Sequence, residues 1–354
     1  MRARAWIAGV LVALAVVAAC SGGSDSDDEA DEDEDVGAST TSGPEDGSGG
    51  GATVDGVVAP LLGLPSADPE SLVRPTLAVK IGNTEQARPQ SGLVEADMVI
   101  EELVEGGLTR LIALFQSQVP EEVGPVRSAR ASDIPLAFPF GQPLFATSGS
   151  NPTTAIAVQQ SGLTDVSVDV LPDAYQRDDD RDPPDDVYAD TAALYELTPE
   201  FATPPPQVLT YRAAGAPPAG GRSVEGVDID YGGTQVSFRW DADVGGWRRS
   251  QDGSDHVDDE EELVAPQNVL ISFVEYVDTD QVDSEGVTVR RPAVDHSEGV
   301  LWALTDGQLI EGTWNKQNFT NPFRYLNPDG TSVEMTPGQT WILLPEPGSG
   351  TVVE

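Results

Sequence analysis

The chain has 354 residues and a formal net charge of −41, with 60 acidic side chains against 19 lysines and arginines. A field of that sign repels nucleic-acid phosphates and anionic lipid headgroups, so neither is expected as a general partner. A single cysteine excludes an intramolecular disulfide, so the folded part must be held by its core.

In chain order, Arg2 and Arg4 precede an apolar run from Trp6 to Ala19, shorter than the span a membrane helix needs. The run ends in Val17-Ala18-Ala19-Cys20. Residues 1–19 therefore resemble a lipoprotein signal peptide, with Cys20 as the lipidated mature N-terminus. That predicts attachment to the bilayer through lipidated Cys20 (palmitate or a similar acyl group) on the outer face of the bacterial cytoplasmic membrane. An ordinary cleaved signal with an incidental cysteine is the plainer alternative. Residues 20–73 read as a disordered acidic tether and linker, because acids crowd Asp25–Asp46 and Pro60–Pro69 follow. The acids from Asp25 to Asp46 account for only part of the net charge. Adaptation to a saline medium would explain the rest, since salt screens self-repulsion.

Thr76–Ile81 reads as a strand ended by Gly82-Asn83. Two apolar runs, Met98–Val104 and Leu108–Phe115, flank Glu105-Gly106-Gly107. Paired glycines tolerate positive φ, which predicts a hairpin. Ile134–Phe140 and Thr153–Gln160 read as helices, the second opened by Asn151-Pro152, and Leu144–Thr147 as a strand between them. Asp190 is placed to cap a helix running to Leu197. Residues 199–221 are Pro- and Gly-rich and predict a linker between a domain at 74–198 and a mostly β domain at 222–346. In the second half, strands are expected at Val227–Tyr231, Thr234–Trp240, Gly246–Arg249, Asn268–Tyr276, Val287–Arg290, Val300–Thr305, Leu309–Trp314, Phe323–Leu326, Ser332–Met335 and Trp341–Leu344. Asp-Gly turns at Asp252, Asp306 and Asp329 separate several of them.

The ordered words Arg74-Pro75, Val79–Asn83, Ala87–Leu93, Leu103–Arg110 and Gly124–Arg130 recur with His256-Val257-Asp258, Gln267–Val269, Gly312–Trp314 and Pro337–Ile342. In this order they resemble the YerB-like bacterial lipoproteins, whose N- and C-terminal domains are of unknown function. The resemblance runs from about Arg74 to Pro345. It implies an α+β fold, a layered sheet/helix sandwich with a β-rich C-terminal part, and an extracytoplasmic location. It implies no established activity. The family's pattern carries a Pro-His-Asn-like word before a tyrosine; this chain has Pro184-Asp185-Asp186 before Val187-Tyr188.

Charged residues concentrate around the hairpin. Asn83, Arg88, Asp97, Glu101, Glu105, Arg110, Arg127 and Arg130, with distant His256, are candidates for ligand binding or structural ion pairs. Buried charges must pair or face a wet groove. An arginine pair beside Ser128-Ala129 could clamp a carboxylate or phosphate, or could anchor its loop to Glu105 or Asp97. Carboxylates at Glu101, Glu102 and Glu105 invite a glycosidase reading; pairing with Arg110 or lining a solvated edge is the structural alternative. His256, among Asp255, Asp258 and Asp259, reads as a surface loop or a metal ligand. The Asp178–Asp186 run lacks the spacing and glycine of an EF-hand. Zinc spacings, phosphate loops and nucleophile elbows are missing, so no cofactor or metal is expected. Trp240, Trp247, Trp302, Trp314 and Trp341 sit mostly in strand patterns and are expected in the core. The leading expectation is a tethered binding or scaffolding lipoprotein with a groove near Arg88–Arg130, its partner an unknown protein or cell-envelope ligand. The competing one is a cell-envelope hydrolase using Glu101 or Glu105 with Asp97.

Overall fold

The structure, a computed structural model, describes residues 57–66, 68–282 and 286–354. The expected signal peptide, Cys20 and the acidic run lie outside them. Among the described residues no helix is long and apolar enough to cross a membrane.

The hairpin forms as its glycines predict. Strand β1 (Leu77–Gly82), strand β2 (Met98–Leu103) and strand β3 (Thr109–Phe115) are nearly all buried, and β3 pairs antiparallel with both neighbours. Between β2 and β3, Gly106 and Gly107 take φ of 73° and 74°. A Cβ on Gly107 would stand 2.2 Å from the Gly233 amide nitrogen, so only glycine fits there.

These strands belong to an eleven-stranded sheet drawn from both sequence halves. Its order is Arg222–Ser223, Gln308–Lys316, Ser297–Thr305, Asn268–Ser272, Thr340–Leu344, β2, β3, β1, Leu144–Ala146 and Thr164–Asp165, with Arg324–Leu326 beside Gln308–Lys316. Thr340–Leu344 runs parallel to β2 on one side and to Asn268–Ser272 on the other. The Pro- and Gly-rich span 199–221 thus connects two contributions to one sheet rather than two separate cores.

Alternation along β2 sorts its side chains into two faces. Glu101 meets a five-stranded antiparallel sheet whose order is Ser254–Asp255, Gly246–Gln251, Gln235–Asp241, Gly226–Asp230 and Gly350–Val353. Phe238 of that sheet packs edge-on against Trp341, ring centroids 6.4 Å apart. Glu102 instead reaches Asp133 through Lys80, at the start of helix α1 (Asp133–Ala137). The fold is mixed and strand-rich, in line with the α+β expectation.

The boundaries shift at both ends. The expected tether already contacts the folded body before Arg74: Leu61 is fully buried, its carbonyl accepts from the Tyr211 hydroxyl, and Gly338 donates to the Leu62 carbonyl. A leucine-rich word beside prolines has enough apolar surface to dock even in a polar context. Beyond 346, Gly350–Val353 adds an edge strand to the smaller sheet. Trp247, Trp314 and Trp341 lie in the core as expected, while Trp240 and Trp302 are half-buried against it.

Candidate functional site

A closed polar ring links the two sheets. Glu101, with no exposed surface, accepts from Arg249 Nη2 through both oxygens at 2.9 and 3.1 Å. Arg249 Nη1 donates to His256 Nδ1 at 2.6 Å, and its guanidinium lies 5.0 Å from the Trp341 ring centroid. With Nδ1 accepting, the proton sits on Nε2, which donates to Gln90 Oε1 at 2.8 Å. Gln90 donates to Asn83 Oδ1, and Asn83 Nδ2 returns to Glu101 Oε1 at 3.2 Å and to Thr109. Burial, helped by the positive charges of Arg249 and Arg88, holds the imidazole well below its usual pKa.

His256 is therefore buried rather than part of a surface loop. It is 2 % exposed, and both ring nitrogens are used internally. Its acidic neighbours turn away: Asp258 accepts the Glu260 and Glu262 amides, and Asp255 is exposed. No group of three or more His, Cys, Asp or Glu side chains among the described residues is arranged to hold a metal ion.

On the opposite face Lys80 Nζ, fully buried, bridges Glu102 and Asp133 at 2.5 and 2.6 Å. Burial raises the Glu102 carboxyl to about 7; Lys80 opposes this and the Asp133 charge adds to it. Asp133 is held low against its own burial by Lys80, by Glu102 and by the Arg130 amide.

Asp97 does not join this group. It precedes β2 while Glu105 follows it, and a six-residue strand separates its ends by roughly 20 Å. Asp97 instead accepts the Gln116 and Ser117 amides and the Ser117 hydroxyl. Neither Arg127 nor Arg130 anchors to it. Arg130 pairs with Glu105 at 2.7 Å, as the loop-anchor alternative anticipated, and Arg127 pairs with Asp185 at 2.6 Å. The Pro184-Asp185-Asp186 word thus supplies an ion-pair partner, Asp185. Among the described residues the one ion pair of Arg88 is with Asp252, at 3.4 Å.

Arg110 is a possible partner of the glutamates by sequence. It pairs with none of them: among the described residues it makes no ion pair, and its Nη1 donates to the Ser128 carbonyl at 3.0 Å. Burial, with the like charges of Arg130 and Arg127, pushes its pKa down to about 10. It stays charged at neutral pH, in a place that penalises the charge.

Arg110, Arg127 and Arg130 line one cleft of about 270 Å³, with Glu105, Thr109 and Gly82. Gly82 is opposite Arg110 across the β1–β3 pair. A Cβ there would crowd Asp185 at 3.0 Å and Arg127 at 3.2 Å, so the missing side chain makes room for the ion pair. A second cleft of about 510 Å³, lined by Arg88, Gln86, Gln251 and Asp252, shares Asn83, Thr84 and Leu108 with the first. The two form a continuous surface.

A further cleft of about 540 Å³ was not anticipated. Glu95, Glu121, Glu122, Asp258 and Asp259 converge on it from separate segments, which no local spacing could reveal. Burial raises the Glu95 and Asp258 carboxyls.

The fold and these sites define the class: the chain matches the N-terminal domain model of a protein family of unknown function (DUF3048) over residues 61–203, and the C-terminal domain model of that family over residues 227–342. It belongs to this family. A relative from Bacillus subtilis (strain 168), "Putative lipoprotein YerB", is 34% identical over 300 residues, covering 80% of this chain and 85% of the relative. The crystal structure of YerB protein from Bacillus subtilis superposes with a TM-score of 0.72 at 29% identity, covering 84% of this chain and 100% of that one.

Proposed function

We propose that this protein is a lipid-anchored, extracytoplasmic binding module that holds its ligand in the joined clefts between Arg88 and Arg130. The leader, the lone Cys20 and a relative described as a lipoprotein support anchoring at the outer face of the cytoplasmic membrane. One observation carries the binding reading: the partly buried Arg110 guanidinium faces a cleft and has no carboxylate partner among the described residues. Uncompensated buried charge is costly, and such groups are kept where a ligand completes them.

The hydrolase reading has less support. A two-carboxylate mechanism needs both groups at the substrate. Glu101 is fully buried with both oxygens on Arg249, and Asp97 lies at the other end of β2. Glu105 alone lines the cleft.

Thr84 borders both clefts, so Thr84→Trp should fill them. The full chain purified from its own envelope should carry a small molecule, seen by mass spectrometry, that the Thr84→Trp protein lacks. Equal content in the two proteins, or none in either, would overturn the reading.

A further inference from the structure

We infer that the cleft at Arg110 takes a single negative charge, and that the group it recognises is a carboxylate rather than a phosphate dianion. This rests on the binding reading above and adds the ligand's chemical class.

The inference follows from the charges that face Arg110. Three guanidinium groups, Arg110, Arg127 and Arg130, line the cleft. Two of them are already matched, Arg127 by Asp185 and Arg130 by Glu105. Asp133, another acid near Arg110, is taken up by Lys80 and the Arg130 amide. Glu102 lies opposite Arg110 across the β2–β3 pair without an ion pair to it; it is bound to Lys80 and held largely protonated below neutral pH, which leaves the buried Lys80–Glu102–Asp133 group close to neutral. Among the described residues one positive charge is left over, on Arg110.

Geometry narrows the choice further. A guanidinium with one N–H on Ser128 still presents a planar fork of donors, which matches the two oxygens of a carboxylate. A dianion would need a second free cation, and the neighbouring arginines have their own acids. Glu105 and Asp185 would also stand close to the extra negative charge. Val104 and Leu108 in the wall suit the apolar carbon that bears a carboxylate. The adjoining cleft of about 510 Å³ leaves room for the rest of the molecule.

The test titrates the full chain in detergent, by calorimetry at fixed ionic strength, with three probes: acetate, dimethyl phosphate and inorganic phosphate. Acetate should bind saturably at one site, and Arg110→Gln should weaken it by roughly tenfold or more, the loss that accompanies removal of a charge-assisted pair. Arg239→Gln should leave it unchanged, because Arg239 pairs with Asp228 in the smaller sheet and lines neither cleft. Dimethyl phosphate carries the same single charge, so binding tighter than acetate would assign the site to a phosphodiester and overturn the carboxylate. Inorganic phosphate binding more tightly than either would overturn the single-charge argument. Arg110→Lys keeps the charge and loses the fork, so weakened acetate binding with an unchanged melting temperature separates recognition from folding. Should acetate fail while a co-purified molecule still depends on Thr84, the carboxylate falls and the binding reading stands. Should Thr84→Trp change nothing, both fall.

Discussion

Arg249 is the side chain on which most of the buried polar ring depends. It is fully buried, and Glu101 has no other cationic partner among the described residues. Removing one member of a buried pair strands the other, so Arg249→Leu should destabilise the protein by about 3–5 kcal/mol in urea unfolding. The double change Glu101→Leu with Arg249→Leu should cost less than Arg249→Leu alone; equal or greater loss would argue that packing, not charge, sets the penalty. Two buried titrations act in opposite directions. His256 stays neutral in the native protein, whereas an unfolded imidazole takes up a proton as pH falls through about 6.5. Below that value the unfolded state binds more protons, so this residue lowers stability as pH falls. Glu102 keeps its proton up to about 7 in the native protein, while the ordinary value for a glutamate is 4.5. Its contribution is complete below the unfolded value and is lost as pH rises through the folded one. The two slopes oppose each other between about 4.5 and 6.5. Glu102→Gln should remove one of them, and its melting temperature should then rise with pH across that window more steeply than the parent's. A flat profile in the variant would contradict the assignment of these protons.

At the scale of elements, the β2–β3 hairpin and its Gly-Gly turn were legible because the cause is local. Two residues at positive φ between β-prone runs have few alternatives. The second-half strands were legible for the same reason, through alternation and Asp-Gly turns. Asn151 and Asp190 cap their helices by accepting from Thr154 and Ala193, as their positions suggest. What stayed hidden was pairing across distance. Glu101 finds Arg249 after 148 residues, and no spacing rule connects them. His256 looked exposed because its sequence neighbours are acidic, yet its environment is set by Gln90 and Trp341. Short strands such as Val187–Asp190 and Gly350–Val353 carry too few residues to show a period. The turn itself invites a test. Gly107→Ala would drive a methyl group into the Gly233 backbone at positive φ, a strain of about 1–3 kcal/mol. Gly106, whose Cβ position is open, pays only the φ penalty, so Gly106→Ala should be milder in the same unfolding measurement.

For the whole molecule, the charge and the sheet make separate predictions. With a formal charge of −41, self-repulsion should weaken as salt screens it, and the melting temperature should rise from low to moderate ionic strength. A melting point that stays flat or falls would mean the acids are spaced too widely to matter. The sheet order could not be read from sequence, since a division at 199–221 looks like a domain boundary by composition alone. Because Thr340–Leu344 sits between β2 and Asn268–Ser272, fragments 57–221 and 222–354 should each fail to fold by circular dichroism when expressed alone.

That one strand also sets an order of events. Synthesis from the amino end delivers the partners on either side of Thr340–Leu344 long before the strand itself arrives. Until Leu344 has emerged, the middle of the sheet has a gap one strand wide, with bare amide and carbonyl rows on both rims. Such rims attract any passing extended chain. The emerging polypeptide therefore needs shelter, or a fast finish, until that strand is in place. A product stopped before Thr340 would be recognisable to proteases by that unfilled slot.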